Sequence, residues 1–324
     1  MAYRGPVEKV RLEINSLRPI LKMKRLLKAI AWVFGRLPLP VALALGQGLG
    51  WLYGSVIRFH RRDAWEALRR SLPEKNAAER AAILSRMYRN LGMNLVETLR
   101  LAALPRERLA ELLTFEGAEH LHAALARGRG VLVLSAHIGN WDLLCTLAPY
   151  FNYPTTIITK EIRNRALNEL WMETRRRFGL KFAPAHHSYR QCLHALRNNE
   201  IVGFILDQNM IRDEGVFVDF FGQPACTTPG LAFMSAQSRA PVVPVFILRR
   251  KGGRHLVRVS PLLEPPPDRR PETIREYTQR YTRIIEDVVR QYPEQWIWIH
   301  RRWRTVPQET EPAQRTVGQP AAGT

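Results

Sequence analysis

The sequence predicts an α/β domain with a mixed, mostly parallel sheet flanked by helices, and an N-terminal helical segment before it. Four largely apolar runs, each four to seven residues long, recur between positions 131 and 248. Stretches with helical periodicity separate these runs. This alternation is typical of βαβ units, whose helices cover both faces of a parallel sheet. Positions 63–113 show apolar residues at spacings of three and four, so we expect helices there.

The first 60 residues form the first predicted unit, a basic arm followed by an apolar membrane-associating segment. Residues 1–28 contain eight basic and two acidic side chains. The uncharged run Leu37–Ile57 follows, and its 21 residues match the roughly 20 that cross a bilayer. Two prolines and four glycines interrupt the run. An interfacial or re-entrant helix pair, a true span and a buried core helix therefore all stay open.

Residues 61–306 form the second predicted unit, a single folded domain, and residues 307–324 form a polar tail that we expect to be disordered. Leu72-Pro73 and Leu104-Pro105 indicate breaks between helices. The predicted strands are 131–135, 156–159, 201–206, 242–248 and 255–259, the last with the alternation of an exposed strand. The predicted helices after residue 130 are 142–150, 166–178, 190–197 and 271–292.

The charge balance predicts an anionic partner. Lys and Arg number 49 and Asp and Glu 29, a net charge of +20. Nucleic acid and an acidic membrane surface both fit such a balance. The eight Trp residues favour a membrane interface. No helix-turn-helix, zinc-finger or RNP pattern is present, and the apolar run has no role in such proteins. We therefore expect an anionic membrane surface and no nucleic acid as partner.

Cysteine and histidine spacing predicts neither a disulfide framework nor a metal site. The three cysteines lie far apart in the sequence without a C-x-x-C pair, which favours a reducing compartment. The adjacent His186 and His187 would point apart, so they make a poor metal pair.

The strongest chemical signal is the segment Ser135–Asp142, with the sequence SAHIGNWD. His137 follows a buried strand, and in open α/β sheets ligands bind at the carboxyl ends of the strands. We expect Asp142, in the first turn of the next helix, to fold back onto the imidazole. It would then fix the tautomer and leave the other nitrogen to accept a proton near neutral pH. Gly139 allows close backbone approach. Spacing alone leaves a purely structural histidine open.

This segment resembles the H-x-x-x-x-[D/E] motif of the lysophospholipid acyltransferase superfamily. More narrowly, the chain resembles the late acyltransferases of lipid A biosynthesis, of the lauroyl and myristoyl type. The resemblance covers residues 25–306 in the order of that family. The further landmarks are TKEIRNRALNEL (159–170), GFILDQN (203–209), VDFFGQPACTTPGLA (218–232), APVVPVF (240–246) and WIWIHRRWR (296–304).

The resemblance implies an acyl donor such as acyl-acyl carrier protein, a membrane glycolipid acceptor and no cofactor. His137 would be the base, oriented by Asp142, and no acyl-enzyme would form. The family's basic residue falls on Lys160 or Arg163, where it would contact an acceptor phosphate or the oxyanion. The implied substrate-binding residues are Gly139, Asn140, Lys160, Arg163, Asp207, Gln208, Phe221, Gly222 and Thr228. For Asp207 and Gln208, a structural strand cap is the alternative.

Two basic clusters remain. Arg301 and Arg302, among Trp296, Trp298 and Trp303, predict phosphate and headgroup binding, with a solvated element end as the alternative. The run Arg175–Arg177 predicts a solvated helix face that could dock an acidic carrier protein.

These observations together predict an acyltransferase at the cytoplasmic face of a bacterial inner membrane. It would move a fatty acyl chain from acyl-acyl carrier protein to a hydroxyl of a lipid A precursor. Two alternatives stay open. One is an acyltransferase for another glycolipid or a lysophospholipid, and the other is a catalytically inactive, basic membrane-binding protein. The presence of both His137 and Asp142 argues against the inactive alternative.

Overall fold

The computed structural model describes residues 6–103, 105–150, 152–160, 162–184 and 188–308. Most of the predicted tail, residues 309–324, lies outside this range, as do His186 and His187. The strands in the described part are β1 Leu113–Glu116, β2 Val131–Ser135, β3 Thr155–Thr159, β4 Lys181–Pro184, β5 Ile201–Ile205, β6 Val216–Phe220, β7 Gln223–Thr227, β8 Val242–Arg249 and β9 His255–Val259.

Helices surround the strands. They are α1 Pro6–Arg36, α2 Leu39–Trp51, α3 Arg61–Ser71, α4 Ala77–Leu101, α5 Ala118–Leu125, α6 Trp141–Tyr150, α7 Arg165–Arg177, α8 Tyr189–Arg197, α9 Gly230–Ser238 and α10 Pro271–Gln291. A π-helical turn, Leu52–Val56, extends α2, and short 3₁₀ turns occur at Arg106–Leu112, Arg212–Glu214, Lys251–Gly253 and Pro293–Gln295.

Seven strands form one sheet in the order β1-β9-β8-β2-β5-β3-β4. The pair β8–β9 is antiparallel and every other neighbouring pair in this sheet is parallel. The prediction of a mixed, mostly parallel sheet flanked by helices is therefore confirmed. A separate antiparallel hairpin, β6–β7, packs on α10. The sequence patterns did not predict this hairpin, nor the short strands β1 and β4.

Apolar side chains fill both faces of the sheet. Alternate residues of β2 and β8 pack towards α5 and α6 on one face and towards α8, α9 and α10 on the other. The prediction that 255–259 is an exposed strand is wrong, because β9 lies between β1 and β8 and four of its five residues are buried. Trp296 and Trp298 are 1% and 0% exposed. They therefore belong to the core and do not lie at a membrane interface as expected.

The apolar run Leu37–Ile57 packs along α4 through glycines. Built Cβ atoms on Gly50 and Gly54 would lie 2.1 Å from the carbonyl oxygen of Tyr88 and 2.3 Å from its ring. Gly46 makes a similarly close approach to α4, so three glycines four residues apart form one face of α2 and its extension. The exposed face consists of large apolar side chains: Val41, Leu45, Leu49, Leu52 and Val56.

Within the described residues, no single helix is both long and apolar enough to cross a bilayer. The segments Leu39–Val56 and Arg61–Ser71, bent by 91°, reach that length and hydropathy only as a pair. In the basic arm, Lys24 and Lys28 pair with Glu169 and Glu173 on α7. Part of the arm's charge is therefore neutralised within the protein.

Candidate active site

Two adjacent parallel strands place a histidine and an aspartate side by side at the carboxyl edge of the sheet. Ser135 at the end of β2 pairs with Ile205 at the end of β5. His137 and Asp207 lie two residues beyond these partners and therefore meet. Nδ1 of His137 and Oδ1 of Asp207 are 2.8 Å apart, and the backbone N–H of His137 donates to Oδ2 at 2.9 Å. The carboxylate thus holds both the ring and the backbone of the histidine.

The charge of Asp207 governs the protonation of His137. Burial by itself raises the pKa of Asp207, but the attraction of His137 and three hydrogen bonds lower it to about 2. Burial by itself lowers the pKa of His137, yet the carboxylate more than offsets this, and the net pKa lies above the usual 6.5. An ionised Asp207 accepts from Nδ1–H, so Nε2 of the neutral ring is left as the proton acceptor.

His137 lines a cavity of about 1180 Å³. The amide nitrogen of Gln208, which also lines it, lies 3.3 Å from Nε2 of His137. Gly203 in β5 adds no side chain to this space. Apolar residues of the sheet and of α5 and α6 line one part of the cavity: Val133, Val245 and Val257, with Leu121, Leu144 and Leu147. A second group lies around α8 and α9: Tyr189, Met210, Phe233 and Met234.

Asp142 does not contact His137, although the sequence predicted this contact. It lies in the first turn of α6, where its side chain meets α7. Trp171 Nε1 donates to Asp142 Oδ1 at 2.8 Å, and Arg175 donates to the same oxygen. The position beside His137 is occupied by Asp207 from the neighbouring strand. Asp142 is still close enough to His137 for its charge to raise the pKa of the ring.

Arg175 lines the cavity and is not a solvated residue, contrary to the prediction for Arg175–Arg177. Its side chain is 6% exposed and stacks on Trp171, with 3.5 Å from the guanidinium carbon to the ring centroid. Among the described residues, its buried Nε has no hydrogen-bond partner. The residue was missed as a site candidate because the flanking Arg176 and Arg177 made the run look like a charged surface.

Of the other predicted substrate-binding residues, Lys160, Gln208 and Thr228 line the cavity. Lys160 is exposed, as is Arg163 three residues further on. Their roles stay predictions. Asp207 lies behind His137, so it bonds to the histidine and does not line the cavity.

Gly139 and Asn140 serve the loop itself and face away from the cavity. Gly139 has φ = +59°, and a Cβ there would lie 1.9 Å from the carbonyl oxygen of Ile247. The close backbone approach predicted for Gly139 is therefore made to β8. The Asn140 side chain accepts from the N–H of Leu143 at 3.0 Å, which caps α6, and donates to Glu97 at 2.6 Å. Neither residue lines the cavity, so the structure does not support the two predicted substrate contacts.

Phe221 and Gly222, two of the implied substrate-binding residues, form the turn of the β6–β7 hairpin and do not line the cavity. The N–H of Phe221 donates to Glu286 on α10, and its ring packs on Trp298. Burial of this apolar ring against α10 fixes the hairpin there.

Arg301 and Arg302 also lie outside the cavity. Arg302 is 1% exposed and donates to the Cys226 carbonyl and the Thr227 hydroxyl. Burial makes headgroup binding by Arg302 impossible in this conformation. Arg301 is exposed and pairs with Asp63 at 2.9 Å.

Cys145 is the cysteine that lines the cavity. Burial raises the pKa of its thiol to about 11. A thiol that stays protonated at neutral pH is a poor nucleophile. The arrangement therefore favours proton transfer by His137 over covalent catalysis by this cysteine.

Comparisons with known proteins identify the family. A family model described as bacterial lipid A biosynthesis acyltransferase matches residues 13–305. The chain is 29% identical to the lipid A biosynthesis palmitoleoyltransferase of Escherichia coli (strain K12) over 289 residues, which cover 86% of this chain and 90% of that protein. It is 29% identical to the lauroyltransferase of the same organism over 290 residues, with the same coverage. It is 25% identical to the myristoyltransferase over 269 residues, which cover 82% of each chain.

The family model spans most of the chain, so the resemblance seen in the sequence motifs is confirmed. This protein is an acyltransferase and belongs to the bacterial lipid A biosynthesis acyltransferase family.

Proposed function

We propose that this enzyme transfers a fatty acyl chain from acyl-acyl carrier protein to a hydroxyl of a lipid A precursor at the cytoplasmic face of the inner membrane. The observation that carries the proposal is the His137–Asp207 pair on a large, mostly apolar cavity. The names of the relatives support the acceptor, since each is a lipid A biosynthesis acyltransferase. Their differing acyl groups leave the chain length open.

His137 acts as the general base. Its Nε2 removes the proton from the acceptor hydroxyl as the oxygen attacks the carbonyl carbon of the donor thioester. The tetrahedral intermediate collapses, the C–S bond breaks, and the leaving thiolate takes the proton back from Nε2. Asp207 stays ionised throughout and stabilises the transient imidazolium. The acceptor hydroxyl takes the place of the Gln208 amide beside Nε2.

The apolar part of the cavity holds the donor acyl chain. Its volume of about 1180 Å³ exceeds the roughly 300–1,000 Å³ of an ordinary small-molecule site. Burial of each methylene contributes about 0.8 kcal/mol, so a long chain gains affinity from this lining. Gly203 also lines the cavity, and a Cβ at this position would lie 3.2 Å from the side chain of Ile157.

Arg175 stabilises the developing oxyanion. Its guanidinium lines the cavity, and its buried Nε–H has no acceptor among the described residues. An N–H donor aimed at developing charge in a site shielded from water is worth about 3–4 kcal/mol. Asp142 holds this guanidinium in place. Lys160 is an exposed cation that lines the cavity, and Arg163 is exposed three residues further on. Both are suited to an acceptor phosphate or an acidic carrier protein.

The exposed face of α2 and its extension contacts the membrane. Its large side chains, Leu45 and Leu49 among them, are almost half exposed although they are apolar. The opposite, glycine-lined face is buried against α4. A helix with one face packed on its own domain and an apolar outer face is suited to lie in a bilayer interface. The net charge of +20 adds attraction to anionic lipid.

A transfer assay tests the proposal. Purified full-length protein is given acyl-acyl carrier protein with either a lipid A precursor or a lysophospholipid in detergent, and products are identified by mass spectrometry. We expect the acyl chain on the lipid A precursor and little product from His137→Ala. Transfer only to the lysophospholipid would refute the acceptor, and undiminished transfer by His137→Ala would refute the mechanism.

A further inference from the structure

We propose that the indole N–H of Trp296 is a positioning group for catalysis, acting by holding the Asp207 carboxylate against His137. This inference rests on the proposed function, because it requires His137 to be the base. Trp296 touches no substrate in this scheme. Its effect reaches the reaction through Asp207 alone.

The two oxygens of the Asp207 carboxylate interact with different groups. Oδ1 faces Nδ1 of His137 at 2.8 Å. Oδ2 accepts the backbone N–H of His137 at 2.9 Å and the indole N–H of Trp296 at 2.7 Å. The backbone donor belongs to the same residue that the carboxylate must orient. Trp296 is the donor that ties the carboxylate to a different part of the chain.

The segment that contains Trp296 is itself fixed to the His137 loop. Ile138 and Trp296 form an isolated β-bridge. The N–H of Ile297 donates to the carbonyl of His137 at 3.3 Å, and that of Gly139 donates to the carbonyl of Gln295 at 3.1 Å. The indole therefore has a rigid base from which to place its N–H.

The same segment is fixed to the loop after β5. His300 Nε2 accepts the N–H of Asn209 at 2.9 Å, and Thr305 donates to the carbonyl of Met210 at 2.8 Å. The residues following α10 thus bridge the loops that contribute the base and its carboxylate. If this segment only held the two loops together, none of its hydrogen bonds would have to be made to the Asp207 carboxylate. The indole N–H of Trp296 nevertheless donates to that carboxylate.

Other charges also act on the pair, and they stay in place when the indole is changed. Asp142 raises the pKa of His137 and Arg175 lowers it. His300, whose own pKa burial lowers, and the buried Arg302 interact with Asp207 from the C-terminal segment. None of these four groups bonds to the Trp296 indole.

Trp298 provides a matched control. It is also fully buried and lies two residues away in the chain. Its ring packs edge-to-face on that of Trp296, with 4.7 Å between the ring centroids. Its indole N–H donates to the backbone carbonyl of Pro293 at 2.7 Å. Trp296→Phe and Trp298→Phe therefore remove the same atoms from the same core, and only the first removes a donor from the carboxylate.

The experiment compares these two variants with wild type and His137→Ala in the full-length protein. We expect Trp296→Phe to lower kcat about 10-fold with both KM values within about twofold, because orientation of the base is lost and binding is not. Without the indole donor the carboxylate attracts the imidazolium more strongly. The acid limb of the kcat/KM profile should therefore move up by about half a pH unit. Trp298→Phe should leave both the profile and kcat within twofold.

Equal kinetics in the two Phe variants would overturn the inference. If His137→Ala kept its activity, the proposed mechanism would fail instead, so the two failures are distinguishable. Should Trp296→Phe not fold, β-(3-benzothienyl)alanine at position 296 replaces the N–H by sulfur in a ring of nearly the same size. An unshifted pH profile and wild-type kcat in that protein would equally overturn the inference.

Discussion

Replacing Asp207 by Asn tests the assignment of the histidine's partner most directly. The carboxylate accepts from Nδ1–H of His137 and so leaves Nε2 free for a proton. In Asp207→Asn, the side-chain oxygen can still accept from Trp296 and from the His137 backbone. The amide NH₂ then faces Nδ1 and favours the tautomer with its proton on Nε2. That tautomer cannot act as the base.

General acid–base chemistry gives the expected loss of activity, and the pKa of Asp207 gives the expected loss of stability. Loss of the correct tautomer in a histidine–aspartate pair lowers kcat about 10⁴-fold, or about 5 kcal/mol of transition-state stabilisation. The lowering of the Asp207 pKa from 3.8 to about 2 corresponds to about 2 kcal/mol of folding stability. This contribution is present above pH 3.8 and is lost as the pH falls towards 2. Asp207→Asn should therefore lose much more activity than stability at pH 7.

The assay measures kcat and KM for transfer, and denaturant unfolding at pH 7 measures stability. Asp219→Asn, an exposed carboxylate in the β6–β7 hairpin, is the control and should keep wild-type kcat. Asp142→Asn should lower kcat because Arg175 loses its carboxylate partner. The acid limb of the kcat/KM profile should move far less in Asp142→Asn than it would if the His137–Asp207 pair were lost. A kcat within 10-fold of wild type in Asp207→Asn, together with a complete loss in Asp142→Asn, would refute this reasoning.

Four further predictions follow from the site and the N-terminal helices. In wild type, kcat/KM should fall as the pH drops through a value above 6.5, because protonated His137 cannot accept a proton; in a pH series, a midpoint below 6.5 would contradict this. His137→Ala should lose about 10²–10⁴-fold in turnover with an unchanged circular dichroism spectrum. Cys145→Ala should keep most activity, since its thiol stays protonated, and mass spectrometry should find no acyl adduct on the protein. Replacing Leu45 and Leu49 by Gln should weaken sedimentation with neutral lipid vesicles at high salt by about 1 kcal/mol per side chain; unchanged binding would place the membrane contact elsewhere.

The sequence predicted the central strands well because their burial on both faces leaves a continuous apolar run. Residues 131–135 were predicted as a strand and are β2, and the predicted helix 271–292 corresponds to α10. Short strands at the sheet edge were missed. In β1, Leu113–Glu116, three of the four residues are exposed, so no apolar run marks it.

The position of His137 was predictable, and the identity of its partner was not. A histidine just after a buried strand is visible in one sequence. The neighbour of that strand depends on strand order, and β5 is separated from β2 in the chain by two other strands. One signal was available: Asp207 follows its strand at the same offset of two residues as His137. Parallel neighbours in register bring such residues together.

The arginine and tryptophan residues near the C-terminus show why composition misled the prediction of a headgroup site. A segment rich in arginine and tryptophan has the same composition whether it lies at a membrane surface or in a core where its guanidinium groups donate to carbonyl oxygens. Here Arg302 satisfies the carbonyl of Cys226 and the hydroxyl of Thr227. Only the tertiary contacts distinguish these cases, because both acceptors lie some 75 residues earlier in the chain.

The two acidic residues near the base have separate tasks in the mechanism that we propose. Asp207 accepts from His137, and Asp142 accepts from Arg175, so each acid is matched to one cation. The acid five residues after the histidine then acts on the transition state through a guanidinium, whereas the acid on the neighbouring strand governs the proton. A base that must cycle between neutral and charged forms needs a fixed negative partner, and an oxyanion donor must stay positive. With a separate carboxylate for each cation, Asp207 is the charged group that acts most strongly on the pKa of the base, and the opposite effects of Asp142 and Arg175 on that pKa are smaller.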